Sequence, residues 1–327
     1  MKSILGGLSI AGTLLMTTVL CAAPSEARIT RIEISKIEPA FEGAQFGAVG
    51  TYERVIGRAY GEVDPNLRAN AIIQDIDHAP RNAKGFVEYV TDVDILRPAD
   101  RSKGNGILFF NVVNRGNKGG LFNADIPFGL PQNIADNNAP KVAGDGFMMK
   151  QGYTLVWFGW QGDILPGNNR MTLTVPVAKN LDGSAITGIV RGELIAQAPT
   201  KALNLSSGWF TGLNHSSYPT VNVDNRTQLA DGFLPSLTVR SKEQDPRVPI
   251  ANSEWSLGAC PEGASVVPGD RQICFPSGFQ PGRIYELIYR AKDPLVLFPD
   301  DLNALSVRSD QSQSFPDNLV ALSRHRR

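Results

Sequence analysis

The first third of the chain alternates. In "RITRIEISKIEP" (28–39), Ile29, Ile32, Ile34 and Ile37 stand between charged and polar residues. "TYERVIGRAYGEV" (51–63) and "GFVEYVTDVDILRP" (85–98) do likewise. Period-two alternation predicts strands with one wet face. The pattern then changes. "ILFFNVV" (107–113) and "YTLVWFGW" (153–160) are nearly continuous apolar runs, which suit parallel strands covered on both faces. Between them "GDGFMMKQG" predicts a helix ending at Gly152, and the spacing allows a crossover. Residues 106–160 are therefore expected to form a β-loop-α-β unit.

Beyond Trp160 the apolar runs shorten. "MTLTVPVA", "GIVRGELIA" and "SLTVRS" are strand candidates, separated by proline-rich connections. Residues 161–281 are too long for one connection and predict a large inserted β/loop subdomain. "RIYELIYRA" (283–291) is a strand. Residues 298–327 keep no apolar period and read as a divergent, poorly ordered tail; the alternative is a short amphipathic helix over 319–323.

Composition narrows the class. Hydrophobic residues make up 42% and charged residues 20% of 327, a globular balance. Lys plus Arg equals Asp plus Glu at 32 each, so no basic excess points to nucleic acid. The 32 glycines and 22 prolines favour strands and turns over a helical bundle.

The first residues read as an address. Lys2 precedes a largely apolar run broken by Gly6, Gly7 and Gly12, and "SEA" sets small residues before a cut after Ala27. The run falls short of the roughly 20 residues of a membrane span. Residues 1–27 are expected to be a signal peptide, with Ala23 a weaker cut. A membrane anchor or a lipoprotein at Cys21 are the alternatives. The protein is then exported, periplasmic or secreted, with no membrane span after signal removal. Export leaves Cys260 and Cys274, an even pair that bridges readily in an oxidising compartment; two buried thiols are the alternative. With three histidines in the chain, His78, His215 and His325, and none near the cysteines, no metal or cofactor is expected.

The loop "NRGNKGG" (114–120) closes the first apolar run. It lacks the G-x-G-x-x-G order of a dinucleotide site and the Gly-Lys-Ser/Thr of a P-loop. Asn114, Arg115, Gly116 and Asn117 could support an oxyanion, as the loop after the third strand does in α/β hydrolases; a plain glycine turn is the alternative. Asp75, Asp77 and His78 read as a polar turn rather than a metal site. Asn204, Asn214 and Asn225 begin Asn-x-Ser/Thr triplets. Trp157, Trp160, Trp209 and Trp255 suit core or lid packing more than a sugar-binding surface.

Several stretches together resemble a bacterial family of exported α/β-hydrolase-domain proteins: "FGAVGTYERVIGRAYGEVDP", "IDHAPRNAKGFVEYVTDVDILRP", "LFFNVVNRGNKGGLFN", "GFMMKQGYTLVWFGWQGD" and "ELIYRAKDPLVL". The resemblance implies an α/β fold, here an incomplete α/β-hydrolase fold over 28–297. It makes 106–113 the third sheet strand and 153–160 the fourth. It also implies an esterase-type reaction on a small-molecule ester. The Gly-x-Ser-x-Gly elbow such a hydrolase needs is not found in the chain, and the resemblance stops at about Phe298, as a truncation or frame change would cause. The family's nucleophile, acid and histidine therefore map to no residue here, and the chain is expected to be inactive as it stands. The alternative is a secreted, non-catalytic β-rich protein that binds a glycan or a protein partner.

Overall fold

The computed structural model describes residues 27–113, 116, 118, 143, 145–164, 170–205, 218–222, 224–260 and 269–296. The expected leader up to residue 26, the expected tail, and Asn114, Arg115 and Asn117 of the loop lie outside them.

The alternating stretches become three long strands: β1 (Ala27–Pro39), β2 (Tyr52–Val63) and β3 (Val87–Pro98). β1 pairs antiparallel with β2, and β2 with β3. The two apolar runs become β4 (Leu108–Val112) and β5 (Thr154–Phe158), which pair in parallel. β5 then lies antiparallel on β3, giving the order β1-β2-β3-β5-β4, and the two-residue β6 (Leu173–Thr174) pairs β3 further along the same edge. Before β5 stands a four-residue helix, α1 (Phe147–Lys150).

The later strands build two more antiparallel sheets. One is ordered β10 (Val248–Ile250), β9 (Ser236–Arg240), β13 (Ile284–Lys292) and β7 (Thr187–Leu194). The other runs β11 (Ser256–Leu257), β12 (Gln272–Phe279) and β8 (Thr200–Asn204). Cys260 and Cys274 are bonded, their Cα atoms 5.1 Å apart, which ties the segment after β11 to β12.

This arrangement corrects the expected α/β class. The described chain is β-rich with mostly antiparallel sheets, and it is not an α/β-hydrolase sheet flanked by helices. The reason is visible at β5. Leu155 and Trp157 face one core, Val156 and Phe158 the other, so both faces are buried. Loops and short 3-10 turns supply the cover: Ile73, Ile76 and Ala79 lie over one face, and Phe41 and Phe46 over the other. A continuous apolar run reports burial on two sides; it does not report whether helices or loops do the burying. Close packing is strict here. A Cβ at Gly61 of β2 would sit 2.2 Å from the Tyr89 ring, so glycine lets that tyrosine lie flat on the sheet. The third core joins the two later sheets through Leu194, Leu237, Leu287, Ile273 and Trp255.

Candidate functional site

Strand register carries one row of side chains across five strands. Lys36 stands opposite Ile56, Ile56 opposite Asp94, Asp94 opposite Trp157, and Trp157 opposite Asn111. Paired residues share a sheet face. The face is thus charged at β1–β3 and aromatic at β5. The neighbouring row reads Glu38, Arg54, Leu96, Leu155 and Phe109 and turns from charged to apolar at β3.

A cleft of about 400 Å³ opens on the charged part of this face. Strands supply its floor, including Lys36, Glu38, Arg54, Asp92 and Asp94, and Arg170 and Met171 form a wall. Asp94 is its most buried acid. Arg54 grips Asp94 through Nε at 2.9 Å and Nη2 at 2.6 Å. Lys118 donates to the same carboxylate, and its ammonium also lies 4.8 Å from the Trp157 ring centroid. Burying a lone carboxylate is costly; two cations and a ring face offset that cost. Arg54 also reaches Glu38 at 3.5 Å, and Glu38 pairs with Lys36. Asp92 accepts from the Thr172 amide at 2.9 Å and hydroxyl at 3.1 Å, with Arg58 at 3.6 Å.

The loop after β4 meets this cleft. Gly116, the one oxyanion-loop candidate among the described residues, has φ of +78°. Its carbonyl accepts from the Met171 amide at 2.8 Å. A Cβ there would lie 2.9 Å from the Met171 carbonyl oxygen, so glycine is needed for the loop to touch the wall. Lys118, two residues on, is the second cation on Asp94, beside Arg54. The loop therefore shapes and charges a cleft.

Other sequence candidates fall elsewhere. His78 is exposed in a 3-10 turn, its Nδ1 3.2 Å from the Lys179 carbonyl oxygen. Among the described residues no group of three His, Cys, Asp or Glu could hold a metal. Trp157 and Trp255 are core residues, and Trp160 donates to the Val113 carbonyl; Trp209 lies outside the described residues. Asn225 is buried and donates to the carbonyls of Asn252 and Trp255, which leaves no room for a glycan. No helix among the described residues is long and apolar enough to cross a membrane.

Sequence reasoning missed Asp94, Arg54, Glu38, Asp92, Lys118 and Arg170. Asp92 and Asp94 stand two positions apart on β3, while Arg54 on β2, Glu38 on β1, and Lys118 and Arg170 outside the strands are single charges, each of which also suits a plain solvated face. Compared with family models, curated proteins and solved structures, the chain matches none.

Proposed function

We propose that the chain is a non-catalytic, β-rich binding protein whose charged cleft takes a small polar ligand. One observation carries this reading. A cleft within the usual range for small-molecule sites, roughly 300–1,000 Å³, opens on the charged part of a sheet face whose β5 end lies under apolar cover. Its polar groups converge from β1, β2, β3 and the wall at 170–171. The described residues lining it include no aromatic ring, and what they offer a ligand is ionic contact rather than stacking. The test is a thermal-shift screen of small polar molecules on the wild type and on Ile56→Trp, which fills the cleft floor. Ligands that stabilise the wild type and lose that effect in the variant support the reading. Ligands that stabilise both equally, or none at all, sink it.

A second reading follows the family resemblance: the chain contributes non-catalytically to an exported ester hydrolase. What favours it is the loop after the parallel strand β4, which reaches the cleft through Gly116 and Lys118. Aryl-ester hydrolysis by residues 28–327, alone and extended with a family C-terminal half, tests it. Activity in the extended protein alone supports this reading; equal activity in both, or none in either, rejects it.

A further inference from the structure

We infer that β1 is a pairing edge for a second copy of this chain, joined antiparallel so that the first sheet runs on across a two-fold axis. β1 is 13 residues long and, among the described residues, pairs with β2 alone. An outer strand of this kind presents a row of amides and carbonyls that can take another strand. Two bulges decide what that strand is. Register shifts at Thr30 and Ser35, whose hydroxyls donate to the Tyr60 and Ile56 carbonyls. Arg31 and Glu33 are odd-numbered, Lys36 and Glu38 even, so plain alternation would send the two pairs to opposite faces. The Ser35 bulge returns them to one. Arg31, Glu33, Lys36 and Glu38 stand opposite Tyr60, Arg58, Ile56 and Arg54, which are alternate residues of β2. That face of β1 therefore reads plus, minus, plus, minus. Ile32, Ile34 and Ile37 stand opposite Ala59, Gly57 and Val55 and share the other face.

Turned end for end, this pattern matches itself. Antiparallel pairing sets Arg31 against the second copy's Glu38 and Glu33 against its Lys36, and two-fold symmetry repeats both contacts. On the other face Ile32 meets Ile37, and Ile34 meets its own copy. A slip of one step along the charged face sets Glu33 against Glu33 or Lys36 against Lys36, and like charges directly opposite repel. Bulges and charges ordinarily guard an edge against any strand. Here they leave one register in which all four charges meet their opposites. Ile37 is 54% exposed in the single chain, and a facing Ile32 covers part of it. Arg31, Glu33 and Lys36 have side chains between 55% and 60% exposed. Their pairs along the strand, Arg31 with Glu33 and Lys36 with Glu38, are exchangeable because pairs open to water are worth little. Lys36 and Glu38 also line the cleft, so pairing sets the second copy's Glu33 and Arg31 at its rim. The inference does not depend on the cleft holding a ligand.

The experiment is sedimentation equilibrium of the full chain over a range of concentrations. Glu33→Lys, Lys36→Glu and the double exchange are run beside the wild type. The wild type is expected to dimerise. Each single exchange sets two like-charged pairs across the axis and should weaken the dimer ~tenfold. The double exchange restores opposite charges at those contacts and should recover part of the loss. Hydrogen exchange should slow with rising concentration in β1 and not in β7 or β10, the outer strands of another sheet. Glu33 and Lys36 are exposed, so the variants should fold, and thermal melts confirm that. A monomer at every concentration overturns the inference. So does a dimer that the single exchanges leave intact, one that the double exchange does not restore, or one whose β1 amides gain no protection.

Discussion

Asp94 of β3 and Glu286 of β13 are both buried acids held by two cations, and they differ in where those cations are. At Asp94 the partners Arg54 and Lys118 are themselves buried. At Glu286, Arg247 donates from Nε at 2.7 Å and Arg191 also donates, but these guanidiniums are 46% and 49% exposed. The first cluster is sealed below and opens on a cleft. The second is a surface network in which water already competes for the cations. The same residue types therefore give a rigid, charged floor in one sheet and an ordinary outer face in the other. Convergence of buried charge on a void marks a site; buried charge alone does not.

The sharpest way to break this comparison is to remove each acid. Asp94→Ala takes from buried Lys118 and Arg54 the carboxylate they share, and it should cost about 3–5 kcal/mol in urea unfolding. Glu286→Ala should cost clearly less, because Arg191 and Arg247 can turn to water. Equal losses would show that the two networks are alike.

Reduction of the Cys260–Cys274 bridge should act on the sheet that carries Glu286 and not on the sheet that carries Asp94. The bridge closes a sequence separation of 14 residues, for which loop closure gives about 3 kcal/mol. Hydrogen exchange should quicken in β12, β13 and β9 on reduction and stay unchanged in β2 and β3. Faster exchange in β2 and β3 would mean that the two networks belong to one cooperative unit.

Glu286→Gln keeps the shape and removes the charge, and about 1 kcal/mol of stability should go with it. Its pH dependence has a fixed sign. Hydrogen bonds from Arg247 and then Arg191, with their charges, outweigh burial and hold the Glu286 carboxyl below its ordinary value. A lowered carboxyl adds stability that is present above the ordinary value of about 4.3 and is lost as pH falls through the lowered one. The stability gap between wild type and Glu286→Gln should thus be constant near neutrality and shrink in acid, as equilibrium unfolding across pH can read. A gap that widens in acid would reverse the assignment of cause.

The alternation in β1, β2 and β3 was enough to place those strands, since period two belongs to the extended backbone itself. "GIVRGELIA", "SLTVRS" and "RIYELIYRA" likewise mark β7, β9 and β13. Local sequence also pointed to the cysteine pair, since Cys260 and Cys274 are the two cysteines outside the expected leader. β8 and β12 were not legible: Thr200–Asn204 lies in a stretch that reads as a proline-rich connection, and Gln272–Phe279 contains Pro276 and Gly278. They are strands because they pair with each other over a shared core. The cover of the first sheet and the antiparallel pairing of β5 with β3 were not legible either. Two buried faces give β5 its apolar run whether helices or loops cover them, and only the packed chain shows loops. The cleft was the least legible feature. Lys36, Arg54, Asp94 and Lys118 are spread over 82 positions of sequence, and each alone looks like a solvated charge. Register across three strands and the return of the loop after β4 bring them together. Charge becomes a site only when the surrounding structure removes its water.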